Sequence, residues 1–193
     1  MKPHYNSFHH SDYINGYISM AGKLIQTITS GDFDDVCYHA GCLYAAPSGN
    51  PTIHVYDQNT RSRIRTIDAC KSDGHHDLHT LRVTSSGITL ACTSNDCIHL
   101  LDHNGALQQT HGKRGDAAGE FYAPRLCSVE SDGSMLVADC GNNRCQVFHD
   151  DEWRVLPLHP QPSLPWGAVV TQHAIYVVTG SYREGTLIKY KIN

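Results

Sequence analysis

The chain has 193 residues, 40 % of them hydrophobic and 18 % charged, with a formal net charge of −4. That is enough apolar material for a sizeable buried core and too much for a disordered chain, and the charge balance supplies no general attraction to nucleic acid. No apolar run approaches the ~20 residues of a transmembrane helix, and the opening MKPHYNSFHHSDY lacks the apolar centre of a signal peptide, so no membrane partner is expected and the expected compartment is cytoplasmic.

Residues 1–13 are rich in His, Ser and Tyr without any period and read as a loose lead-in. Tyr17 to Met20 and Lys23 to Ile28, joined by Ala21-Gly22, then read as the third and fourth strands of a partial unit spanning about 14–28. Three fuller units follow, at about 29–67, 68–110 and 111–156, each with four short strand-like runs. The first contains Asp35 to Tyr38, Cys42 to Ala46, Thr52 to Asp57 and Ser62 to Ile67, with a loop from Pro47 to Pro51 whose prolines oppose regular pairing. The second contains Leu78 to Thr84, Ile88 to Thr93, Cys97 to Asp102 and Ala106 to Thr110, reached through the polar loop Lys71 to Asp77.

The third unit is the best marked. Arg125 to Glu130, Ser134 to Asp139 and Cys145 to Phe148 are separated by Ser-Asp-Gly and Cys-Gly-Asn-Asn, and Trp153 to Leu156 closes it. Asp132-Gly133 suits the positive φ angles of a two-residue hairpin, and Gly141 with Asn142 and Asn143 suits a left-handed bend. The proline-rich connector 157–165 leads to a last unit, about 157–193, with Pro165 to Val170, Tyr176 to Val178 and Thr186 to Ile192 as strands. A recurrence of roughly 40–50 residues with four short strands marks a β-propeller rather than a helical array.

Over 112–148, the glycine, Gly119-Glu120-Phe121, Pro124, Asp132-Gly133, Leu136-Val137-Ala138-Asp139, Gly141-Asn142-Asn143-Arg144 and Gln146-Val147-Phe148 elements resemble the NHL repeat. This repeat builds six-bladed propellers, notably at the C-terminus of tripartite-motif (TRIM) proteins. The resemblance implies an all-β, NHL-type propeller of about four blades plus a partial one, the C-terminal part of a six-bladed ring. A four-bladed ring, or self-association that completes the circle, stays open. The resemblance also implies that any RING-type ubiquitin ligase chemistry belongs to a longer parent protein, and that this segment is not itself an enzyme.

The eight cysteines raise the question of zinc or disulfides. Cys37 and Cys42, Cys92 and Cys97, and Cys140 and Cys145 are each five apart, without the tighter knuckles usual for zinc, and the expectation is buried thiols. Among fourteen histidines, His54 and His99 share a repeat position and read as hydrogen-bonded residues between blades. His75, His76 and His79 with Asp73 and Asp77 form a chemically better ligand set, but loop enrichment favours solvated side chains. No metal ligand recurs along the expected innermost strands, and there is neither a Gly-x-Ser-x-Gly elbow nor a phosphate-binding loop, so no cofactor is expected. A metal-dependent lyase or hydrolase of the kind found among related propellers stays as the remote alternative.

Binding is the favoured role. The loops leading into the innermost strands gather on one face, where Phe121, Tyr122, Arg125 and Trp166 are expected, with His75, His76, Lys113 and Arg114 nearby. Such residues make protein hot spots, and aromatic rings beside arginines also stack single-stranded RNA. The competing reading of Phe121 and Trp166 is blade packing. Asp139 and Arg144 read as a structural pair that bridges their turn and caps its amides, rather than as a ligand contact. Arg61, Arg63 and Arg65 alternate on an outer strand, a pattern of charge that protects an edge.

Overall fold

A computed structural model describes residues 17–18, 24–26, 32–69, 78–180 and 184–192. Strands β1 (Tyr17–Ile18) and β2 (Leu24–Gln26) pair antiparallel as a two-stranded sheet. The next sheet holds β3 (Phe33–His39), β4 (Cys42–Pro47), β5 (Thr52–Asp57) and β6 (Arg63–Asp68) in sequential order. A second four-stranded sheet holds β7 (Leu78–Thr84), β8 (Gly87–Cys92), β9 (Cys97–Leu101) and β10 (Leu107–His111). A third holds β11 (Pro124–Val129), β12 (Met135–Asp139), β13 (Arg144–His149) and β14 (Glu152–Val155), and the last has β15 (Pro165–Val170), β16 (Ala174–Gly180) and β17 (Gly185–Lys191). Among the described residues, each of these strands pairs antiparallel with its neighbour in sequence, because the turns between them are too short for a crossover.

The first strands of these sheets stand side by side, β3 against β7, β7 against β11, and β11 against β15. That is the radial arrangement of a partial β-propeller, in which the second strands of the two middle sheets are covered on both sides. Gly87–Cys92 and Met135–Asp139 are buried at every position, so they are apolar without alternation. The core accordingly consists of layers between neighbouring sheets. Ile53, Val55, Leu81, Ile88 and Leu90 fill the first layer, Ile98, Phe121, Leu126, Met135 and Val137 the second, and Cys145, Leu158, Val177 and Tyr190 the third.

Each innermost strand breaks register once, between Phe33 and Asp35, Leu78 and Thr80, Leu126 and Ser128, and Pro165 and Gly167. A bulge turns backbone groups and side chains sideways, and the neighbouring strand uses them. Leu81 donates its N–H to Asp35 Oδ2 at 2.9 Å, Leu126 donates to Thr80 Oγ1 at 2.8 Å, and Ala168 donates to Cys127 Sγ at 3.2 Å. The Arg82 guanidinium joins three sheets, pairing with Asp35 at 2.8 Å and donating through Nε to the Cys127 carbonyl at 3.2 Å.

Several local expectations change. Asp132-Gly133 is not a two-residue turn. Glu130 and Ser134 still bond as a pair, Gly133 donates to the Glu130 carbonyl at 3.1 Å, and only Gly133 has positive φ, at 87°, giving a three-residue hairpin loop. Pro47 ends β4 opposite Phe33, so pairing reaches one residue into the proline loop. Arg61 sits in the preceding turn at φ 60°, and a register shift intervenes between the pairs of Arg63 and Arg65, so the three arginines do not form one regular row. Ala21-Gly22 and the loop 70–77 lie outside the described residues.

Candidate functional site

The rim is built from the loop 112–123 that leads into β11. Phe121 donates its N–H to the Lys113 carbonyl at 2.9 Å and accepts at its own carbonyl from Gly115 at 3.1 Å, closing the loop on itself. Beneath it lies a buried polar network. The Asp139 carboxylate accepts from the Tyr122 N–H at 2.7 Å through Oδ1, and from Arg144 Nε at 2.8 Å, Asn142 Nδ2 at 2.9 Å and Gln146 Nε2 at 3.0 Å through Oδ2. Arg144 donates its remaining N–H groups to the carbonyls of Asp116, Ala117 and Glu120, while Gln146 holds the Gly119 N–H and the Glu120 carbonyl. The side chains of Asp139 and Arg144 are 0 % and 10 % exposed, so the pair is closed to ligands. Its amide partner is Tyr122 in the incoming loop rather than the pair's own turn, which corrects the expectation from sequence.

That network places neighbouring residues in opposite roles. Phe121 is fully buried, at 0 % exposure, edge-on to Trp153 with ring centroids 5.0 Å apart. It therefore leaves the set of face residues, because an aromatic ring without a polar atom is worth more between two sheets than at their edge. Tyr122, one residue on, is 42 % exposed, and the Arg114 guanidinium lies 4.0 Å from its ring centroid. The ring rests against Gly141, where an added Cβ would come within 2.4 Å of two ring carbons. Gly141 is thus required for close approach; the left-handed residue of this turn is Asn143, at φ 56°.

A second couple lies where the neighbouring innermost strand begins. The Arg125 guanidinium is 4.3 Å from the Trp166 ring centroid, and both residues are half-buried. The structure therefore brings Arg114, Tyr122, Arg125 and Trp166 to the same ends of adjoining strands β11 and β15, with exposed Lys113 beside the first pair. His75 and His76 lie outside the described residues.

The cations here are mostly matched. Arg114 pairs with the buried Asp96 carboxylate at 3.3 Å, and Lys113 with Glu120 at 3.3 Å. The Ala117 N–H and Lys113 hold the Glu120 carboxyl below its ordinary range. Such a rim presents guanidinium edges and aromatic faces without a large surplus of positive charge.

The register also relates residues that linear spacing leaves unconnected. Asp139, Arg144 and Gln146 occupy the end of the second strand, its opposite partner, and the position two residues further along the third strand. The same positions in the second sheet hold Cys92, Cys97 and His99, because Cys92 pairs with Cys97. In the last sheet Thr179 pairs with Thr186. The equivalents of Asp139 and Arg144 are therefore Cys92 and Cys97 in the second sheet and Thr179 and Thr186 in the last. Cys92, Cys97 and His99 are all buried, with their ligating atoms within 4.8 Å of one another. The signal in sequence is Cys-x4-Cys-x-His laid across a hairpin, which brings all three to one face. Elsewhere, burial pushes the Cys140 and Cys145 thiols up to about 11 and about 12, the state of inert core residues.

The radial stack of four-stranded sheets defines a partial β-propeller, and its likenesses support one of the NHL type. The chain is similar to the E3 ubiquitin-protein ligase NHLRC1 of Rattus norvegicus, 32 % identical over 90 residues that cover 47 % of this chain and 22 % of the relative. It is likewise similar to NHLRC1 of Homo sapiens, 30 % identical over 82 residues, covering 42 % and 21 %. The match thus spans about a fifth of the length of these relatives. Among solved structures, a protein of unknown function from Bacteroides thetaiotaomicron superposes with a TM-score of 0.65 at 14 % identity, covering 87 % of this chain and 49 % of the other. Virginiamycin B lyase from Staphylococcus aureus superposes with a TM-score of 0.57 at 16 % identity, covering 85 % and 57 %. These two likenesses establish the fold alone. No family model matches the chain.

Proposed function

We propose that this chain is a non-catalytic recognition module that binds a protein partner through the loop rim around Tyr122 and Arg125, as the recognition part of an NHL-type, TRIM-like ubiquitin ligase. The observation that carries this reading is the pair of guanidinium–aromatic couples, Arg114 with Tyr122 and Arg125 with Trp166, at the ends of adjoining innermost strands. Stacking orients each guanidinium, so that the in-plane N–H groups of Arg125, and those of Arg114 that Asp96 does not take, can meet carboxylates or carbonyls of a partner, while the rings supply apolar area. The similarity to proteins named E3 ubiquitin-protein ligases supports a substrate-binding role, in which ligase chemistry would reside outside this segment.

A protein partner is favoured over single-stranded RNA because Asp96 and Glu120 already balance Arg114 and Lys113, leaving little net charge to release counterions from phosphates. The test is proximity cross-linking and affinity capture with the purified chain, compared with Tyr122→Ala and Arg125→Ala variants of unchanged circular dichroism. The expected result is a defined protein set captured by the parent chain and lost from both variants. Capture that both variants retain would overturn the assignment of this rim. Salt-sensitive binding of short RNA strands that both variants lose, with no protein captured, would replace the protein partner with RNA.

A further inference from the structure

The register equivalence between the second and third sheets leads to a site that neither spacing nor similarity assigns. We propose that Cys92, Cys97 and His99 are the protein ligands of a buried zinc ion, with water as the fourth ligand, that cross-links strands β8 and β9. Cys92 and Cys97 lie directly opposite each other across this hairpin, and His99 follows Cys97 by two residues, so all three side chains project from one face.

The distances suit a small tetrahedral ion. His99 Nε2 is 3.4 Å from Cys97 Sγ, and all three ligating atoms fall within 4.8 Å of one another. With Zn–S near 2.3 Å and Zn–N near 2.0–2.1 Å, the sulfur-to-nitrogen edge of a tetrahedron is about 3.5 Å. The other imidazole nitrogen, His99 Nδ1, lies 2.9 Å from Thr110 Oγ1 on β10. With Nδ1–H donating to that hydroxyl, the lone pair is on Nε2, toward the sulfurs, the outer-shell arrangement that metal-binding histidines adopt.

Charge selects the same ion. Two thiolates and a neutral imidazole carry a charge of −2, which a divalent cation cancels, so a neutral unit occupies the buried position, with two thiol protons released to solvent on loading. Sulfur ligands favour zinc over magnesium or calcium, which take oxygen. The corresponding positions of the third sheet are joined by the Asp139–Arg144 ion pair and Gln146. A metal link in one blade and an ion-pair network in the next would serve the same mechanical purpose, tying the second strand to the third beneath the rim.

The experiment uses the full chain, expressed with added zinc and purified without chelator. Elemental mass spectrometry is expected to find about one zinc per chain, falling at least about tenfold in the Cys92→Ser/Cys97→Ser double variant and in His99→Gln, but not in Cys145→Ser. Cobalt in place of zinc should give thiolate charge-transfer absorption and tetrahedral ligand-field bands. Should the variants fail to fold, the unaltered chain decides the matter: chelator is expected to strip its zinc and lower its denaturation midpoint, and restored zinc, but not magnesium, to recover it. Zinc-replete protein without stoichiometric metal, zinc retained by the double variant, a midpoint indifferent to chelator, or a Cys92–Cys97 disulfide in the zinc-replete chain would each overturn the proposal.

Discussion

The Asp96 carboxylate, at the turn between the second and third strands of one sheet, accepts the backbone N–H of Ala123 at 2.6 Å, just before the innermost strand of the next sheet begins. One sheet further on, Asn143 Oδ1 accepts the N–H of Leu164 at 2.8 Å. The two acceptors sit at φ 52° and 56°, the two donors at 52° and 46°, and a proline follows each donor. This is one device used twice. A left-handed turn residue aims its short polar side chain at the neighbouring sheet and fixes where the next innermost strand starts.

Asp96→Ala is therefore expected to destabilise the fold by about 1–3 kcal/mol, because it leaves the Ala123 N–H and Arg114 without their acceptor. Asn143→Ala is expected to cost less, since its carbonyl oxygen is neutral and the site more exposed. Urea denaturation of both variants checks the order; equal losses, or none, would deny the latch its role.

Arg144→Met should cost about 3–5 kcal/mol, because it strands the Asp139 carboxylate in a fully buried position. The same change frees the carbonyls of Asp116, Ala117 and Glu120, so amide hydrogen exchange in 113–122 should rise ahead of exchange in β12. Exchange that rises uniformly across the third sheet would mean that Arg144 acts on the sheet and not on the loop.

Phe121 and Tyr122 should separate stability from recognition. Phe121→Ala opens a cavity between two sheets and is expected to cost about 3–5 kcal/mol. Tyr122→Ala, at an exposed ring, should change stability by no more than about 1 kcal/mol while abolishing partner capture. Thermal melts alongside capture assays test the contrast, and a Tyr122→Ala chain that binds as before would remove this ring from the interface.

His111 supplies a pH dependence. Its Nδ1 accepts from Trp153 Nε1 at 3.4 Å, which leaves the proton on Nε2, a buried atom with no partner among the described residues. Burial lowers its pKa from 6.5. The folded state then binds fewer protons than the unfolded state just below that value, so this contribution is present above about pH 6.5 and is lost as the pH falls through the window beneath it. Denaturation midpoints measured across that window should decline with acid, and His111→Gln should flatten the decline. An imidazole resonance of His111 titrating at or above 6.5 would contradict this direction.

Much of the fold was legible because antiparallel sheets with short turns are local objects. The strand pattern from Arg125 to Phe148, with Asp132-Gly133 and the Gly141 to Asn143 bend between the runs, needs only neighbouring residues to be read. The site was legible in part. Tyr122, Arg125 and Trp166 could be placed near one rim from repeat position, but whether Phe121 turned outward or inward depended on Trp153, more than thirty residues away, and on the layer formed with Ile98 and Leu126.

Cysteine spacing along the chain left spatial neighbours unread for a related reason. A separation of five looks too wide for a zinc knuckle along an extended chain, yet a tight hairpin makes Cys92 and Cys97 cross-strand neighbours and adds His99 to the same face. Gly141 reads in sequence as a source of backbone freedom, while its actual service is room for the Tyr122 ring, which no neighbour in sequence reveals.

What the chain specifies by itself is the succession of short strands, their turns and the recurrence that makes sheets of them, because hydrogen-bond pairing and turn chemistry act over a few residues. Tertiary structure alone decided which side chains each sheet lends to the next: Asp35 to Leu81, Asp96 to Ala123, Asp139 to Tyr122. Those contacts depend on how sheets stack around an axis, where bulges and left-handed turns redirect side chains across gaps that linear distance does not measure.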